Sequence, residues 1–114
     1  DGAVLLLETS ELLPEPWYAM QTLMGLGERG LLEQFSAVLV GRIKARSNTV
    51  DRDPEERSEY RERVHETLLE ELRRYNPDAP IALGVDFGHT SPIAPVPIGG
   101  DVVVDAERER IAFE

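Results

Sequence analysis

AVLLLETSELLPEPWYAMQTLMGLGERGLLEQFSAVLVG, residues 3–41, sets two apolar runs on either side of a helical pattern. The first run, AVLLLE (3–8), is continuous and ends in a carboxylate, which reads as a buried strand in a sheet covered on both faces. Pro14 and Pro16 mark a helix start, and Trp17, Met20, Leu23 and Met24 follow at helical spacing until Gly25, Gly27 and Gly30 end the helix. AVLVG (37–41) reads as a second buried strand. A strand, a helix and another strand in succession call for a crossover connection and hence for parallel pairing.

The rest of the chain extends this unit. RIKARSNTVDRDP (42–54) is a polar loop leading into Pro54 and a long amphipathic helix, where Tyr60, Val64, Leu68, Leu72 and Tyr75 form one stripe against a charged remainder. Pro77 and Pro80 end that helix before a short strand, IALG (81–84). VVVD (102–105) and RIAFE (110–114) flank the polar AERE and predict a terminal hairpin. The expected fold is therefore a single α/β layered domain, residues 1–114, with a mainly parallel sheet and a terminal β-hairpin.

Composition narrows the function. At 114 residues and 41% hydrophobic content the chain fits one domain with a modest core. The absence of cysteine excludes thiol catalysis, disulfides and thiolate metal sites, and a cytoplasmic setting fits. No run is long and apolar enough to span a bilayer. A net charge of −10 argues against a nucleic-acid partner, whose backbone calls for a basic face. Lys44 is the only lysine; such a surface suits high salt, and it reads equally well as a solvated acidic face. The start at Asp1-Gly2, straight into AVLLLE, fits a domain cut from a longer protein.

Two short motifs lead nowhere. GLGERG (25–30) matches the dinucleotide pattern G-x-G-x-x-G, but it follows a helix instead of a strand, where glycines act as carboxy-terminal caps. DFG (86–88) lacks the other kinase elements. No cofactor is indicated, and His89 with Asp86 is too thin a cluster for a metal. His65, beside Val64 on the long helix, reads as a solvated helix residue.

His89 is different. It lies in VDFGHTSPIAPVP (85–97), among turn formers stiffened by Pro92, Pro95 and Pro97, on no apolar face. Glu8 stands at the carboxyl end of the first strand, where open α/β sheets place their ligands and catalytic groups. If strands 3–8 and 81–84 are parallel in one sheet, Glu8 and the His89 loop emerge at one edge. A partly shielded carboxylate orienting a histidine makes two-thirds of a Ser-His-Glu triad. Taken alone, Glu8 reads equally as the cap of the turn at Thr9-Ser10. No G-x-S-x-G elbow supplies a nucleophile, and Ser10, Ser36, Ser47, Ser58 and Ser91 lack that setting.

LLLETSELLP, the helix ending in GLGERGLLEQFSAVLVGR, and DFGHTSPIAPVPIGGDVVVDAERERI together resemble the carboxy-terminal domain of the LD-carboxypeptidase and microcin C immunity serine peptidases. The resemblance covers nearly the whole chain. It implies a swivelling β/β/α domain and a Ser-Glu-His triad divided between two domains, with Glu8 and His89 at the positions of the triad glutamate and histidine. It implies further that the serine and the oxyanion hole belong to an amino-terminal domain outside this chain, that the enzyme is a homodimer, and that this chain alone is inactive. The resemblance implies as substrate either a murein tetrapeptide or a peptidyl-nucleotide amide; ETSE and DFGHTSP look closer to the immunity branch. The rival reading is a non-catalytic binding or interaction module whose His89 loop only shapes a surface.

Overall fold

In the computed structural model, which describes residues 2–114, the alternation read from the sequence becomes a three-stranded parallel sheet. Its strands β1 (Val4–Leu7), β2 (Ala37–Gly41) and β3 (Ile81–Val85) stand in the order β1-β2-β3. Val4 to Leu7 pair with Ala37 to Val40 without a break, and Val38 and Leu39 pair with Ile81 and Ala82. β2 is central and buried along its whole length. The expectation of a buried first strand is corrected here: β1 is an edge strand and only half-buried throughout, although the sheet it belongs to has a layer on each face.

Two helices cover one face. Side chains alternate along a strand, and on this face Leu5, Leu7, Val38, Val40, Ile81 and Leu83 pack against Leu23 of α1 (Pro16–Glu28) and the stripe of α2 (Pro54–Tyr75). Tyr60, Val64, Leu68 and Leu72 of that stripe are each about 1% exposed, as their spacing predicts. α2 starts on a capping box: the Glu56 N–H donates to Asp53 Oδ1 (2.8 Å) and the Asp53 N–H to Glu56 Oε2 (3.0 Å).

The glycines of α1 divide into two roles. Gly25 and Gly27 lie inside the helix, so they do not end it. Gly30, with φ +72°, is the terminator: its N–H reaches the Gly27 carbonyl and that of Leu31 the Leu26 carbonyl, the paired bonds of a Schellman cap. Gly27 marks instead where the helices cross, because a Cβ there would lie 2.3 Å from the Tyr75 ring. A 3₁₀ turn at Leu32–Gln34 then leads into β2.

The second face of the sheet is covered by a hairpin. β4 (Val102–Asp105) and β5 (Arg110–Phe113) pair antiparallel, with Val102 opposite Phe113 and Val104 opposite Ile111. These four residues line grooves shared with Val4 and Leu6 on one side and with Ala82 on the other. Leu39, fully buried yet outside the helix-side core, lies on that face of β2. The layers run hairpin, sheet, helices, the expected β/β/α order.

The two helix glycines give opposite expectations for the same substitution. Gly25→Ala meets nothing within 4 Å, so helix propensity decides and stability should rise by about 0.5–1 kcal/mol. Gly27→Ala forces apart α1 and α2 and should cost about 1–3 kcal/mol. Urea unfolding of the two variants distinguishes them by sign.

Candidate active site

Glu8 leaves the carboxyl end of β1 and enters a turn that is closed without its help. The Ser10 hydroxyl accepts the Leu12 N–H (3.1 Å), and the Leu13 N–H reaches the Ser10 carbonyl (3.2 Å). Leu13 is buried at φ +53°, and the Tyr60 hydroxyl donates to the Pro14 carbonyl at 2.7 Å. The turn cap is thus Ser10, and the Glu8 carboxylate is left over for another partner.

That partner has to come from two strands away. β3 is separated from β1 by β2, so the segment after β3 must cross the carboxyl end of β2 to reach Glu8. The ladder between β2 and β3 shifts register between Leu39 and Gly41, bringing Gly41 opposite Val85. The chain then passes directly over Gly41: a Cβ at that position would lie 2.5 Å from the Phe87 carbonyl oxygen and 3.0 Å from its ring. Three contacts hold the crossing. The Phe87 N–H bonds the Val85 carbonyl (2.7 Å), the Arg42 guanidinium pairs with Asp86 (2.5 Å), and the Ala94 N–H bonds the Asp86 carbonyl (2.6 Å). Phe87 is itself buried.

Gly88 finishes the approach. Its φ of +107° lies in the region L side chains avoid, and a Cβ would meet Glu8 Oε2 at 3.1 Å. The following residue, His89, places Nδ1 3.7 Å from Glu8 Oε2. The structure therefore brings both expected site residues together at one sheet edge. The side chains remain 37% exposed for His89 and 48% for Glu8. At 3.7 Å the contact is an ion-pair distance, longer than a hydrogen bond. With Nδ1 turned to the carboxylate, Nε2 is the nitrogen left for exchanging a proton.

Among the described residues no hydrogen bond joins a serine or threonine hydroxyl to His89; Ser10 and Ser47 are committed to local backbone N–H groups, and the Ser36 hydroxyl donates to the Gly2 carbonyl. No group of three or more potential metal ligands occurs among them either, and no helix is long and apolar enough to cross a membrane.

His65 departs from its expected solvated place. Its Nε2 is buried without a partner, and burial first, then the charge of Arg61, pushes its pKa below the ordinary value of 6.5. It shares a cavity with Thr90 and Ser91, so the His89 loop folds over it. Helix periodicity carries no sign of this, because the covering segment comes from the far end of β3.

The sequence matches the family model of the LD-carboxypeptidase C-terminal domain over residues 1–104. Among solved structures, a MccF-like protein from Streptococcus pneumoniae, crystallised in complex with AMP, is similar at 30% identity with a TM-score of 0.77. That alignment covers 100% of this chain and 29% of the other, so this chain spans under a third of that protein's length. No curated protein matches the sequence.

Two expectations follow from the geometry. Gly41→Ala should push Phe87 off β2, with a cost of about 1–3 kcal/mol and faster amide exchange at Ala94; unchanged exchange would refute the crossing as the anchor. For His65, a folded-state pKa below 6.5 means the unfolded chain takes the proton first. Its contribution is present above about 6.5 and is lost as pH falls below that. His65→Gln should therefore lose less stability than the wild type over the same descent, in chemical denaturation run at several pH values.

Proposed function

Because the chain belongs to the family of LD-carboxypeptidase C-terminal domains, we propose that it supplies the histidine and glutamate of a Ser-Glu-His triad whose serine lies in a separate domain. The carrying observation is the His89 Nδ1–Glu8 Oε2 approach at the carboxyl edge of a parallel sheet. In this reading His89 Nε2 takes the serine proton during attack on the amide carbonyl and returns it to the leaving amine. Glu8 fixes the tautomer and stabilises the imidazolium. The oxyanion donors come with the serine, outside this chain.

The partial coverage of the MccF-like protein supports a two-domain enzyme of which this is one part. For the substrate we favour an amide that joins a peptide to a nucleotide, supported by that neighbour's complex with AMP. A murein tetrapeptide losing its terminal D-alanine is the second reading, favoured by the family's LD-carboxypeptidase description.

The test uses the full-length protein with Glu8→Gln and His89→Ala variants, each offered a peptidyl-adenylate amide and a murein tetrapeptide, with products followed by mass spectrometry. Loss of the orienting carboxylate or of the base should lower kcat by roughly 10⁴-fold. Effects within a few fold for both variants would instead make the His89 loop part of a non-catalytic module. The 114-residue chain by itself should turn over neither substrate.

A further inference from the structure

The sheet has a free edge at β1. The Ser36 N–H donates to the Ala3 carbonyl at 2.9 Å, so the backbone of Ala3 faces β2. Alternation along the strand turns the backbone groups of Leu5 and Leu7 the same way and those of Val4 and Leu6 outward. Among the described residues no strand lies beyond β1, and Val4 and Leu6 make no backbone hydrogen bond on that side.

Edges are commonly guarded against such exposure, as β3 is here. It starts after Pro80, Gly84 interrupts it at φ +69°, and Arg73, Asp105, Glu109 and Arg110 line its flank. None of these devices is present at β1. Its VLLL stretch has no charge and no proline, and its register with β2 is unbroken. Two grooves touch β1 and no other strand of the sheet. On the helix face, one of about 270 Å³ is lined by Leu5, Leu26, Leu31 and Phe35, with Gln34 as its polar member. On the hairpin face, Val4 and Leu6 share one of about 580 Å³ with Ile98, Val102 and Phe113, at whose rim stand Asp101 and Glu114. Leu31 and Ile98 are 41% and 82% exposed.

An edge of this kind fits an extended strand, whose backbone pairs with Val4 and Leu6 while alternate side chains enter the two grooves. We propose that the strand is β1 of a second copy of this chain, running antiparallel about a two-fold axis at Leu5. Residues opposite one another must point to the same face, so the axis passes through a residue and not between two. Leu5 is the position that pairs all of β1 within an uncharged segment, Ala3 to Leu7; an axis at Leu6 sets Glu8 opposite the partner's Val4. In this register Val4 exchanges both backbone bonds with the partner's Leu6, and the two Leu5 side chains meet on the helix face. Charge favours a second copy at this place. Chains of net charge −10 repel one another over their acidic surfaces, and this edge is a stretch where neither brings a charge into the pairing. Symmetry favours it as well, because Val4 and Leu6 complement themselves about the axis. Two three-stranded sheets then become one of six strands with all helices on one face. Glu8 and His89 lie beyond the paired segment, so the interface stands independently of the triad reading.

Sedimentation of the full-length protein over a range of concentrations tests this, with a monomer–dimer equilibrium expected. Val4→Pro removes an outward N–H, where an edge strand tolerates proline, and should raise the dimer Kd about tenfold or more. Ala3→Glu adds, at an exposed position, charge of the sign already in excess; it should have the same effect and serves if Val4→Pro unfolds. Amide exchange at Val4 and Leu6 should slow as the dimer forms. Oxidation should link two copies of Leu5→Cys, but not of Ile93→Cys, which is exposed in the His89 loop. A monomer at every concentration, or a dimer indifferent to both Val4→Pro and Ala3→Glu, overturns the proposal. Slow exchange at Val4 and Leu6 in the monomer overturns it too, and assigns the edge to another segment of the same full-length chain.

Discussion

The Phe87 carbonyl passes over Gly41 where β2 ends, and the position of His89 depends on that crossing. Strands in a sheet lie about 4.8 Å apart, so β1 and β3, separated by β2, are roughly 10 Å apart. Three residues, Asp86 to Gly88, bridge the gap and turn the chain so that His89 faces back to Glu8. Any side chain at position 41 lifts this bridge off the sheet. A side chain at 88 strains the backbone and meets the Glu8 carboxylate, so two glycines in separate parts of the chain set one side-chain contact. The Arg42–Asp86 pair and the buried Phe87 ring then hold what the glycines permit.

Much of this frame was legible from periodicity. The α2 stripe from Tyr60 to Tyr75, the hairpin at 102–113 and the β-α-β alternation each carry a repeat that burial enforces, and each is present where the sequence places it. The approach of Glu8 to His89 was legible as a conditional, from strand ends and parallel pairing, and the condition holds. What the pattern does not contain is strand order. AVLLL and AVLV look alike, yet one is a half-buried edge and the other the fully buried centre, because neighbours across the sheet decide coverage. The glycines of α1 likewise cannot be sorted by sequence: only the Tyr75 ring tells Gly27 from Gly25, and only a positive φ tells Gly30 from both. His65 escaped for the same reason, since its cover arrives from the loop after β3.

Exposure bears on the chemistry. An ion pair between half-exposed groups is worth about 0–1 kcal/mol, because water competes for both partners. The Glu8–His89 pair therefore does not stabilise the fold appreciably, and the backbone crossing holds it in place instead.

The same exposure argues for a divided site. Proton transfer by a histidine and stabilisation of the resulting imidazolium gain most where water is excluded and the local dielectric is low. On this chain the imidazole and its carboxylate are oriented but open. In the proposed two-domain enzyme a docked serine domain would close over the sheet edge, and the 3.7 Å separation would then shorten, as catalytic hydrogen bonds commonly do on such closure. Under that proposal hydrolysis would be conditional on docking: the base would be preformed on one unit and the nucleophile would reside on the other, so that neither would attack an amide until both faced the same bond.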